Sequence, residues 1–194
     1  MIIAWTRVFH ANFNTTIGDK YFYKKKGSKF YDIIDGERRA WELKTCITKF
    51  GKLDKPVRAN LEFFIKLRNK IEHRYIGKEE IGTIIFGECQ ALLYNFENFI
   101  VNTFGDEFAL NESLAFALQF SKLRTTSQAK ASKKLLSKEV KELTTFITKY
   151  KSGLDDQTFN SQEYSIKLVA IPKVSNTNRN DLAVEFVNWG ESSS

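Results

Sequence analysis

Arg68, Asn69 and His73 stand within six residues of one another in "LRNKIEHRY", Leu67 to Tyr75, and their types suit phosphate chemistry. His73 is one of two histidines in the chain. Imidazole is the side chain whose ordinary pKa lies near neutrality, so it serves as base toward a hydroxyl and as acid toward a leaving oxygen. Arg68 stays charged and grips a phosphate with a planar fork, stabilising negative charge as it develops. Asn69 orients either partner. RNA carries its own nucleophile in the 2′-hydroxyl. Its cleavage therefore asks for a base, an acid and a cation, and for no metal or protein nucleophile.

The stretch lies between the apolar runs "LEFFIKL" and "IGTIIFG", and helical spacing runs into it from Pro56. Asn69 and His73 are four apart and share a helix face. Arg68 and His73 are five apart, about 140° around the axis. On one straight helix they do not converge on one phosphate. A helix end, a kink, or a second copy across a two-fold axis is needed. The same residues also fit a plain structural role. Arg68 and Glu72 are spaced as an i, i+4 ion pair, and His73 and Arg74 suit a helix C-terminus.

The elements that must hold this stretch read mainly as helices. Apolar positions at Ile2, Trp5, Val8, Phe9 and Phe13 predict a helix over 2–17. Residues 20–34 place aromatic and basic runs on either side of Gly27-Ser28 and read as a β-hairpin closed by Asp35-Gly36. Asp35 then caps a helix over 37–50, which Gly51 ends. Helices follow over about 55–75, with Val57, Leu61, Phe64, Ile65 and Ile71 inward, and over 79–104, 111–121 and 129–151. The last carries an inward stripe at Leu136, Val140, Leu143, Ile147 and Tyr150. Near the C-terminus "YSIKLVAIP" and "LAVEFVNW" alternate with period two and read as paired strands. The division expected is a helical bundle over 1–121, with the hairpin inserted at 20–34, and a basic helix with a two-stranded lobe over 122–194.

Charge narrows the partner. The chain of 194 residues carries +7, and residues 122–151 hold nine Lys/Arg against Glu139 and Glu142. That segment alone accounts for the whole excess. Such a strip suits a polyanion, and Lys130, Lys133, Lys134, Lys138 and Lys141 are its candidate contacts. A lysine-rich solvent face of an ordinary helix looks the same. The hairpin "KYFYKKKGSKFY" interleaves aromatics with lysines, which suits stacking on unpaired bases or a hairpin packed by its own rings. His10, three residues after Arg7, is a candidate accessory acid or base or a core hydrogen-bonder. The apolar runs are too short to cross a membrane, so no membrane partner is expected. Cys46 and Cys89 read as reduced core residues of a cytoplasmic protein. No metal-ligand cluster and no cofactor loop stands in the sequence.

"RNKIEHRY" resembles the signature of the HEPN superfamily: Arg, a polar residue that is often Asn, a few variable residues, then His, with a Tyr two residues later in some toxins. Arg68, Asn69, His73 and Tyr75 match each position. More widely, "AWTRVFHANF", "AWELKTCI", "PVRANLEFFIKLRNKIEHR", "SLAFALQFS" and "DLAVEFVN" resemble a bacterial family of uncharacterised proteins, a domain of unknown function, assigned to that superfamily. The resemblance implies an antiparallel helical bundle and a homodimer whose shared cleft holds Arg68 and His73 of both chains. It implies metal-independent endoribonuclease activity leaving a cyclic phosphate, in a toxin–antitoxin or anti-phage role. An antitoxin partner, or a nucleotidyltransferase that modifies Tyr75, follows from the same likeness. The toxins with that Tyr are smaller and lack the C-terminal strands. The family's bundle usually also has a helix ahead of the one that opens this sequence.

Overall fold

The computed structural model describes residues 1–72, 82, 84–110, 138–166, 171–172 and 184–185. Among these the chain is mainly helical. Its helices are α1 (Ile2–Ile17), α2 (Leu43–Phe50), α3 (Lys55–Glu72), α4 (Phe86–Phe104), α5 (Lys138–Ser152) and the short α6 (Asp156–Asn160). Two small antiparallel pairs accompany them: β1 (Ile33–Ile34) with β2 (Glu37–Arg38), and β3 (Ile171–Pro172) with β4 (Val184–Glu185). The helix expected over 111–121 and the start of the basic helix, residues 129–137, lie outside the described residues.

The core is aromatic because the inward stripes are. Trp5, Phe9 and Phe13 of α1 meet Leu43, Cys46 and Ile47 of α2, Leu61, Phe63, Phe64 and Leu67 of α3, and Leu92 and Phe99 of α4. The Phe9 and Phe99 rings sit 5.0 Å apart, and Trp5 meets Phe96 edge-on at 5.4 Å. Each such ring, fully buried, contributes roughly 1.5–3 kcal/mol by leaving water. The stripes at 2–17 and 57–67 therefore do what their spacing predicts. Ile71 does not, being 37% exposed.

The described part of the basic helix is built into this same core. Leu143 and Ile147 belong to the core cluster, and Val140 is buried. The division at 121/122 followed the charge; in α5 Lys141 and Lys149 are exposed, while Lys151 turns inward to the buried Glu88.

The segment before α2 differs from its expected form. The turn at Gly27-Ser28 is there, with Lys24 bridged to Tyr31. Asp35 does not cap a helix. Asp35 and Gly36 both take positive φ, 51° and 84°, and turn β1 back onto β2. Two such residues in succession suit a two-residue hairpin, and Asp-Gly is the pair that tolerates it. The chain stays extended through Ala40, which bridges back to Phe22. Tyr23, Asp32 and Arg39 close a ring of backbone bonds: Tyr23 N–H donates to the Arg39 carbonyl, Asp32 N–H to that of Tyr23, and Arg39 N–H to that of Asp32. The insertion thus runs to Ala40, and α2 starts at Leu43 instead of residue 37.

Tyr164 is the second difference. Its expected strand opened at this residue. Instead it is fully buried in a turn after α6, packed against the bundle.

Candidate functional site

α3 presents the described half of the expected site. Pro56 stands in its first turn, and the burial of Asn60, Leu61, Phe63, Phe64 and Leu67 fixes its rotation. With that face inward, Arg68, Asn69 and Lys70 are exposed. Glu72 is the last residue of the helix described. His73, Arg74 and Tyr75 lie outside the described residues, as do Lys130, Lys133 and Lys134.

α5 runs beside the C-terminal half of α3. Phe63 stacks on Phe146 at 6.4 Å with planes 5° apart, and it lies 5.4 Å from Tyr150. The Tyr150 hydroxyl donates to the Ala59 carbonyl at 3.0 Å. Lys66 Nζ lies over the Tyr150 ring at 4.7 Å and Lys70 Nζ over the Phe146 ring at 4.9 Å. Tyr150 thus meets residues 59–66 and Phe146 residues 63–70, so the two helices are antiparallel. One further turn back along α5, at residue 142, comes level with the last turn of α3. Lys138 and Lys141 are at that same end.

The rotation of α3 also separates the candidates. Asn69 follows Lys66 by three residues and stands about 100° from both Arg68 and Lys70, on the outer face of α3. Arg68 and Lys70 are about 160° apart, which puts Arg68 on the opposite flank of the buried stripe. The structure therefore brings Lys66, Lys70 and the Phe146 and Tyr150 rings of α5 to one side, with Asn69 on the outer face. Arg68 of the same chain is not among them.

His10 is committed elsewhere. Its Nε2 lies 2.7 Å from the Trp41 carbonyl, so that nitrogen carries the proton and donates. Its ring leans on Tyr21 at 5.1 Å. This is the structural role, tying α1 to the segment before α2.

Sequence reasoning passed over a buried polar set between α3, α4 and the segment after α6. Asn60 Nδ2 donates to the carbonyls of Glu88 and Tyr164, at 3.0 and 2.8 Å. Asn95 Nδ2 donates to the Glu163 carbonyl at 2.6 Å, and Ile166 N–H to the Gly87 carbonyl at 3.0 Å. Glu88 is 2% exposed and pairs with Lys151 Nζ at 2.8 Å. Burial and the nearby Glu88 charge raise the pKa of the Tyr164 hydroxyl. A Cβ at Gly87 would come within 2.5 Å of Ser165 Oγ and 2.6 Å of the Ile166 carbonyl, so the close approach needs glycine. A signal was present: Glu88, Leu92, Asn95 and Phe99 repeat at 4, 3 and 4, one inward stripe with two polar members. These bonds fasten residues 163–166 across the bundle and offer no open reacting group.

The thiols are equally unreactive at neutral pH. Burial pushes Cys46 up to about 12, and burial with the Glu88 charge pushes Cys89 up to about 11. A cleft of about 340 Å³, lined by Asp54, Lys55, Gln157, Ser161 and Glu163 among others, opens at the N-terminus of α3. It lies some thirteen residues, roughly 20 Å, along the helix from Arg68. Its cation Lys55 is paired with Asp155 at 2.8 Å, a bond that with the Thr158 amide holds the Asp155 carboxyl well below the usual range. Among the described residues no group of three or more His, Cys, Asp or Glu is placed to hold a metal ion, and no helix is long and apolar enough to cross a membrane.

Comparison with curated proteins and with solved structures gives no match. A family model does match, over residues 1–154, and the chain belongs to the family it describes, Domain of unknown function (DUF3644).

Proposed function

We propose that this protein is a metal-independent endoribonuclease of HEPN type, acting as a homodimer in a toxin or anti-phage role. Arg68 stabilises the charge of the phosphate, His73 transfers protons to and from the 2′-hydroxyl and the leaving oxygen, and Asn69 orients them. The observation that supports this most is the antiparallel contact of α3 with α5. It lays Lys66 and Lys70 over the Tyr150 and Phe146 rings, on the side of α3 that leads toward its described C-terminal end. An RNA strand lying along Lys66 and Lys70 runs toward Arg68 and Asn69 at the described end of α3. On a straight helix Arg68 and His73 would stand about 140° apart, which fits a cleft completed by a second copy that supplies the missing arginine.

The test is cleavage of single-stranded RNA with excess chelator present. The wild type should release products ending in a cyclic phosphate, and His73→Ala should lose about 10²–10⁴-fold in rate. Equal cleavage by both proteins would sink the reading. A second reading, a nucleic-acid-binding module without catalysis, draws on the same basic side; it predicts RNA binding by the wild type with no cleavage.

A further inference from the structure

The loop that leads into α2 carries an aromatic ring with nothing on it. Residues 20–31 hold Lys20, Lys24, Lys25, Lys26 and Lys29 and no acid. Their other aromatic rings are occupied. Arg38 lies over Tyr31 at 4.6 Å and over Phe22 at 5.8 Å, Arg39 covers Tyr23 at 4.8 Å, and Tyr21 sits against His10 and Phe22. Phe30 is 77% exposed and, among the described residues, makes no ring contact. Yet its backbone is held: its carbonyl accepts from Lys25 N–H at 2.9 Å, and its N–H donates to Ser28 Oγ at 3.1 Å. Lys24, Lys25, Lys26 and Lys29 stand within six residues of it along the hairpin, all exposed, and among the described residues no salt bridge pairs them with an acid.

The ring buries little in the fold, yet two hydrogen bonds to its backbone hold its position beside a run of lysines. We infer that Phe30 with Lys24, Lys25, Lys26 and Lys29 forms a binding site for single-stranded nucleic acid, the ring stacking on an unpaired base and the lysines contacting its flanking phosphates. In a duplex the base faces are already stacked, so the site selects unpaired strands. An anionic membrane fits less well. The other exposed apolar residues nearby, Ile33 and Ile34, are followed by Asp35 and Glu37, which such a surface repels. The site stands on the hairpin alone and does not depend on cleavage at His73.

The experiment measures fluorescence anisotropy of a labelled oligo(dT) of about 12 nucleotides with the full chain. The probe has no 2′-hydroxyl, so binding is read without cleavage. Phe30→Ala should weaken binding about tenfold, and Phe30→Trp should keep or tighten it. Changing the four lysines to Gln should flatten the dependence of log affinity on log salt by about 3. A duplex of equal length should respond little to Phe30→Ala. Because Phe30 is exposed, its variants should melt with the wild type. Equal oligo(dT) affinity of wild type and Phe30→Ala overturns the site. So does a Phe30→Ala loss that appears on phosphatidylserine vesicles instead of on the oligonucleotide.

Discussion

Lys151 and Glu88 meet at 2.8 Å, and the two ends of that pair differ in their access to water. The Glu88 side chain is 3% exposed and that of Lys151 26%. Removing the lysine leaves a carboxylate buried without a countercharge, which costs far more than a lost hydrogen bond. Removing the carboxylate's charge leaves a cation that can turn toward solvent. Lys151→Met should therefore destabilise by about 3 kcal/mol or more, Glu88→Gln by about 1–2 kcal/mol, and the double variant by less than the sum. Urea unfolding measures all three. Equal single costs, or a larger one for Glu88→Gln, would show that the pair is not the buried constraint it is taken for. At this scale the sequence named the motif residues by type alone. It did not single out Glu88 or Asn60, because a polar residue on an apolar stripe does not show where its partner lies.

Helix periods were legible because they are local. The stripe from Trp5 to Phe13 and the one through Leu61 and Phe64 each need only the spacing of neighbours. The insertion was misread at Asp35 because an Asp before a polar run fits either a helix cap or a two-residue turn, and the long-range bridge from Ala40 to Phe22 decides between them. The α3–α5 pairing has a consequence of its own. If RNA contacts the exposed lysines of these two helices, changing Lys66, Lys70 and Lys141 together to Gln should flatten the salt dependence of single-strand binding by about 2, at roughly 0.7 per phosphate contact. The same changes at Lys44 and Lys52, exposed elsewhere, serve as the control. An unchanged slope in the triple variant would detach the basic helix from nucleic-acid binding.

For the molecule as a whole, a straight helix would set Arg68 and His73 about 140° apart, which makes the proposed site a question of assembly. If each site joins Arg68 of one copy to His73 of the other, two inactive variants can complement. In a mixture of Arg68→Ala and His73→Ala, half of the dimers formed at random are mixed, and each holds one intact site of two. Activity should return to about a quarter of the wild-type level after co-refolding or subunit exchange. RNA cleavage against mixing ratio measures this. No recovery, with mixed dimers present by native mass spectrometry, would place both residues in one chain's site.

The sequence by itself determined a helical chain with its excess positive charge in one segment, a polar motif at the end of the third helix, and turns at Gly27-Ser28 and Asp35-Gly36. All of these rest on interactions within a few residues. Tertiary structure decided which stripe meets which: that the basic helix shares the bundle's core and lies antiparallel to α3, and that residues 163–166 are tied across α3 and α4. The Asn60 amide bonds carbonyls 28 and 104 residues further along the chain. A periodic pattern says that a face is buried. What it is buried against is settled by packing of the whole chain, and so is which residues of α3 meet the rings of α5.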